Sequence, residues 1–167
     1  MSGRWLQCIG LALAGAALAG AARAADAAEI ELGLSVYKTT CASCHAWTGN
    51  GVMPYDPGEG FLNLPPSLVR STLERAAMIE LLACGTPGGQ MPQYLAEAWS
   101  EQRRCYGKLA GDLPPEARPP RPYSTLGVRQ IEALASFVQE FYQGKGLTLA
   151  NCLKYFGPPA RLCDLLR

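Results

Sequence analysis

Residues 41–45 read Cys-Ala-Ser-Cys-His, and this short motif constrains the fold more than any other part of the chain. Two cysteines separated by two residues and followed by a histidine suit the covalent attachment of a c-type haem. On a tight helical turn the sulfurs of Cys41 and Cys44 reach the two haem vinyl groups, and His45 points toward the iron as its proximal ligand. The motif therefore predicts one haem c per chain, bound through two thioethers.

Two other interpretations of the motif are weaker. A redox-active CxxC pair of the thioredoxin type would need alternating strands and helices around it, and the flanking sequence does not show them. A structural zinc site would need two further ligands, but His45 is the only histidine in the chain.

The N-terminus indicates export. Arg4 precedes an apolar run over residues 5–22, and Ala22-Arg23-Ala24 fits a small-residue cleavage site. We predict a signal peptide over residues 1–24, a periplasmic location, and no stable membrane span after cleavage. An uncleaved anchor is the alternative, but Ala and Gly dominate the run. Cys8 lies inside it and receives no role.

Four of the seven cysteines remain once Cys8 and the two motif cysteines are set aside, namely Cys84, Cys105, Cys152 and Cys163. An exported chain favours disulfides. Three pairings are possible, and we favour Cys84 with Cys105 and Cys152 with Cys163, because neighbours close small loops at low entropic cost. Buried free thiols are the alternative.

Size and charge limit the function classes. Residues 25–167 are about the size of one small domain. Loss of Arg4 and Arg23 leaves 13 of the 15 basic side chains against 14 acidic ones, a formal net charge of about −1. Nothing suggests a nucleic-acid partner. The segment 26–59 is mostly acidic, whereas basic residues cluster over 103–121, and such a dipole could steer a redox partner, although scattered charge more often only solvates a surface.

Three helices are predicted from apolar spacing. The first runs from about Glu29 to Thr40, with an apolar stripe that leads into the motif and contains Gly33 as a point of close helix approach. The strongest spans 126–142, and a third spans 73–83, with Ser71 and Glu74 as a capping box. No convincing strand pattern appears. The predicted fold class is all-α, arranged around one covalently bound haem.

The iron needs a ligand on its other face, and without a second histidine the choice is methionine, lysine or an open site. Met91 is the best candidate, because the sequence Gly-Gly-Gln-Met-Pro over 88–92 forms a loop that can present the sulfur. A thioether stabilises ferrous iron and raises the reduction potential. Met53 also precedes a proline, but it follows His45 too closely for its loop to pass around the haem edge.

The imidazole of His45 also needs an acceptor for its second N–H. The run Leu-Pro-Pro-Ser-Leu over 64–68 offers a rigid carbonyl, from either Pro66 or Pro65.

Together these features resemble a class I mono-haem cytochrome c over roughly residues 29–143. The resemblance is carried by Gly33 with Tyr37, the CASCH motif, the proline before Ser67-Leu68, Met91-Pro92, and the helix that ends near Phe141. It implies that the first and last helices cross near a glycine and an aromatic residue, with a partly exposed haem edge. It also implies transfer of single electrons between periplasmic enzymes or membrane complexes.

The chain departs from the family pattern in three places. It lengthens the stretch 49–60, inserts a Pro-rich strap near 93–123, and adds a C-terminal extension over 144–167 that a disulfide would close. We expect a cytochrome c domain over 25–143 that carries electrons for partners such as a periplasmic dehydrogenase and a terminal oxidase or another cytochrome. The alternative is a haem c protein with a labile sixth ligand, acting as a catalytic or ligand-sensing subunit.

Overall fold

The computed structural model describes residues 26–51, 66–157, 161–164 and 166. The predicted signal peptide, Met53 and Pro65 lie outside these residues, so those expectations stay predictions. Within the described ranges the chain is helical and contains no strand, only two isolated bridges at Ser100–Arg103 and Cys105–Lys108. The all-α prediction is therefore confirmed. No helix in these ranges is long and apolar enough to span a membrane.

The helices have the following bounds in chain order. The α-helices are α1 (Ala27–Val36), α2 (Ala42–His45), α3 (Arg75–Cys84), α4 (Val128–Phe141), α5 (Leu149–Phe156) and α6 (Arg161–Asp164). A π-helical turn over Tyr37–Cys41 joins α1 to α2 without a break. Short 3₁₀ turns lie at Leu68–Arg70, Ala110–Asp112 and Pro115–Ala117.

Close packing of α1 on α4 organises the core. A Cβ built on Gly33 would lie 2.1 Å from the carbonyl oxygen of Ala133, so only glycine allows this approach. The same crossing brings Tyr37 of the π turn against Phe137 and Tyr142, with ring centroids 5.4 and 5.1 Å away. All three rings are buried. This is the first-to-last helix crossing that the resemblance implies.

Helix α3 packs on α4 and begins differently from the prediction. The hydroxyl of Ser71 accepts a hydrogen bond from the N–H of Leu73 at 3.3 Å and does not cap the helix, whose first residue is Arg75. The predicted capping box is therefore wrong, because the N-cap position is Glu74 and Ser71 lies three residues before it. Arg75 instead links three helices, since its guanidinium bonds to Glu29 in α1 and to Ser136 in α4.

Both predicted disulfides are confirmed. Cys84 pairs with Cys105 at a Cα–Cα distance of 5.7 Å, and Cys152 pairs with Cys163 at 5.6 Å. All four cysteines are buried. The first bond ties the end of α3 to the strap, by which we mean residues 93–123, and the second ties α5 to α6.

Candidate functional site

The CASCH motif lies at the end of one continuous helical run. The π turn over Tyr37–Cys41 carries Cys41 into the core, where it is buried, and α2 brings Cys44 to the surface. Both thiols are free, whereas the other four described cysteines are paired. Burial, followed by the nearby Cys44, raises the pKa of Cys41 to about 12, so this sulfur stays neutral at ordinary pH.

His45 ends α2 and is partly buried. Burial lowers the pKa of its ring, while the backbone carbonyl of Pro66 opposes this by attracting the ring N–H. Nδ1 is buried, yet it makes no hydrogen bond of regular geometry with the part of the chain that is described. The Pro66 carbonyl, one of the two predicted acceptors, thus lies beside the ring. Its distance or angle to the ring falls outside the range of a regular hydrogen bond.

Two tyrosine hydroxyls hold the backbone immediately after His45. Tyr37 donates to the carbonyl oxygen of Ala46, and Tyr142 donates to that of Trp47 at 2.7 Å. Ala46 has a φ of 55°, a conformation that costs a non-glycine residue about 1–3 kcal/mol. Nothing in the spacing of these two aromatic residues along the sequence predicts this polar role.

The loop after the motif folds back toward His45. The N–H of Gly51 donates to the carbonyl of His45 at 3.1 Å, and the N–H of Leu68 donates to Gly49 at 2.7 Å. Gly49 has a φ of 70°, and a Cβ there would lie 2.7 Å from the ring of Tyr142. These contacts place the segment that begins at Pro66 next to the loop over residues 46–51, which follows His45.

Met91 lies in a short turn after α3 and is partly buried against the core. Its carbonyl accepts a hydrogen bond from the N–H of Thr86 at 3.0 Å. Tyr94, three residues later, has its pKa raised to about 12, first by burial and then by Cys41 and Cys44. The two thiols influence Tyr94 electrostatically, so the segment that follows Met91 lies near the motif.

The C-terminal helix α5 covers a surface beside the motif. The ring of Phe156 meets that of Trp47 edge-on at 5.4 Å, and the ammonium of Lys38 lies 4.9 Å from the centre of the Phe156 ring. Lys38 also donates to the carbonyl of Tyr155 at 3.2 Å. The extension therefore contacts the residues on both sides of CASCH.

These residues fit a covalently bound haem. Two unpaired cysteines stand at the required spacing, and the imidazole of the next residue lies beside a backbone carbonyl that can orient it for metal binding. In the same described ranges, no group of three or more His, Cys, Asp or Glu side chains could hold a metal ion.

A comparison with known families finds a match over part of the chain. A profile described as "Cytochrome C oxidase, cbb3-type, subunit III" matches residues 28–104, which is less than half of the chain and contains the motif together with Met91. This similarity supports a c-type cytochrome, a class that transfers electrons through haem. No curated protein matches the chain, and no solved structure does.

Proposed function

We propose that this protein is a periplasmic electron carrier with one haem c bound through Cys41 and Cys44, and with His45 and Met91 as the axial iron ligands. The observation that carries the proposal is the state of the cysteines. The motif thiols are free and lie on a helical turn next to His45, while the other four described cysteines are paired with each other.

Each protein group has a definable part in holding the cofactor. Cys41 and Cys44 would fix its position covalently, while the Tyr37 and Tyr142 hydroxyls fix the backbone that follows His45. The carbonyl of Pro66 would orient the imidazole through its N–H. When bound, haem supplies a one-electron iron couple, and a methionine thioether favours its reduced form.

The partners would be other redox proteins. A periplasmic dehydrogenase as electron donor, and a terminal oxidase or another cytochrome as acceptor, fit a diffusible carrier of this size. Support for electron transfer comes from the similarity to a cytochrome family over residues 28–104. Saturation of the iron by two protein ligands would favour electron transfer over substrate binding.

The proposal is tested by expressing the full chain in a host that matures c-type cytochromes. Mass spectrometry should show a mature chain that begins at Ala25 and carries one added haem. The ferric protein should show the sulfur-to-iron charge-transfer band, and the ferrous protein should not bind carbon monoxide. A haem-loaded protein that lacks the band and binds carbon monoxide would favour the ligand-sensing alternative, and a chain without thioether-bound haem would refute both.

A further inference from the structure

Backbone hydrogen bonds to carbonyls in the proline-rich limb of the strap hold the chain on both sides of Met91. Before it, the N–H of Gly88 donates to the carbonyl of Ala117 at 2.8 Å. After it, the N–H of Gln93 donates to the carbonyl of Pro120 at 3.1 Å. The extended, proline-rich limb of the strap therefore brackets the loop and limits how far it can move from the core.

The base of the loop packs on Gly85. A Cβ built there would lie 2.7 Å from backbone atoms of Met91, Pro92 and Gln93, and the φ of Gly85 is 68°. This contact is so close that a shift of Gly85 must displace the backbone of Met91. The carbonyl of Gly85 accepts a hydrogen bond from the hydroxyl of Tyr106 at 2.8 Å. A side chain of the strap therefore holds the residue on which the backbone of Met91 packs.

Tyr106 is itself held firmly. It follows Cys105, whose disulfide partner Cys84 directly precedes Gly85. Its N–H donates to the carboxylate of Glu80 at 2.8 Å. Its φ of 52° persists in a non-glycine residue only where the surroundings impose it.

We propose that Tyr106 is a positioning residue for Met91: through Gly85 it keeps the loop closed, so that the sulfur stays on the iron. This inference rests on the proposed function, because it assumes that Met91 is an iron ligand. The strap would then help to hold the haem iron indirectly, through Gly85 and Met91.

The test is the binding of cyanide to the ferric holoprotein, since cyanide competes with Met91 for the iron. In Tyr106→Phe the ring remains and only the hydroxyl is lost. We expect the cyanide affinity to rise roughly fivefold, as for the loss of one hydrogen bond of ordinary strength from the closed loop. The sulfur-to-iron band should also disappear at a lower urea concentration. Glu80→Ala, which removes the acceptor for the Tyr106 N–H, should act in the same direction.

Two matched variants separate positioning from general stability. Tyr123→Phe alters a fully exposed strap tyrosine and should leave cyanide binding unchanged. Asp26→Ala removes the carboxylate that caps the first turn of α1 by accepting from the N–H of Glu29 at 2.7 Å, so it should lower stability without raising cyanide affinity. Wild-type affinity in Tyr106→Phe, or an equal rise in Asp26→Ala, would overturn the inference. Absence of the band from the wild type would instead refute Met91 ligation itself, before any variant is compared.

Discussion

Gly33 lies directly against the backbone of Ala133, with room for a hydrogen and none for a methyl group, whose carbon would stand 2.1 Å from the Ala133 carbonyl oxygen. This contact sets the distance between α1 and α4. It also sets the depth at which Tyr37 enters the aromatic cluster, and hence the position of the turn that carries Cys41. A packing contact at the centre of the fold therefore controls the geometry of the candidate site.

Gly33→Ala should consequently destabilise the holoprotein by about 2–3 kcal/mol, because the added methyl must push apart two backbones in a packed core. Guanidinium unfolding measures this loss. Gly111→Ala is the matched control, since a Cβ at Gly111 meets nothing within 4 Å. Equal stability of the two variants would contradict the close crossing.

Tyr37→Phe should lower the free energy of unfolding by about 1–2 kcal/mol, because the buried Ala46 carbonyl loses a hydrogen-bond donor. The N–H of Gly49 also reaches this carbonyl, at 3.3 Å, and limits the cost. Urea unfolding gives the value, with the exposed Tyr123→Phe as the reference change. A loss no larger than that of the reference would show that the hydroxyl contributes nothing.

Met91→Ala should lower the reduction potential and allow the ferrous protein to bind carbon monoxide, because the thioether no longer stabilises reduced iron. Potentiometric titration and a carbon monoxide difference spectrum check the two effects. Met78→Leu serves as control, since Met78 is buried in α3 and the change conserves volume. An unchanged potential in Met91→Ala would exclude this residue as ligand.

Replacement of Cys152 and Cys163 by serine should reduce stability by about 2–3 kcal/mol, the range for a disulfide that closes a short loop. It should also expose α5 to proteases, because the contacts of Phe156 with Trp47 and Lys38 then lack the covalent tie. Limited proteolysis with mass analysis detects this. Resistance equal to that of the wild type would show that packing alone secures the extension.

The sequence allowed much of the helical frame to be predicted. The apolar stripes of α1 and α4 repeat at the helical period, so both elements and the role of Gly33 were accessible from spacing alone. The ends of the helices were harder to predict. We predict an end of the first helix near Thr40, but the helical run continues through a π turn to His45. A π turn adds one residue to a helical turn, and this change does not show in the spacing of apolar residues along the sequence.

The site was predictable where its chemistry is local and obscure where it is not. The motif and the pairing of neighbouring cysteines follow from short spacings, whereas Met91 as an iron ligand stays a prediction. The hydroxyl contact between Tyr142 and Trp47 joins residues 95 positions apart, and that between Tyr106 and Gly85 joins residues 21 apart. Only the tertiary fold brings such partners together. The hydrogen bonds of these tyrosine hydroxyls therefore cannot be predicted from the spacing of aromatic residues.

The hydrogen bonds that the hydroxyls of Tyr37 and Tyr142 donate after His45 have a consequence for the rate of electron transfer by the proposed carrier. They fix the carbonyls of the two residues after His45, so the backbone at this proposed ligand would have little freedom to rearrange on a change in the charge of a bound iron. Carbonyl dipoles that are already held in position need not reorient during electron transfer. A small reorganisation energy, and therefore fast self-exchange between oxidised and reduced molecules, is what such anchoring would give.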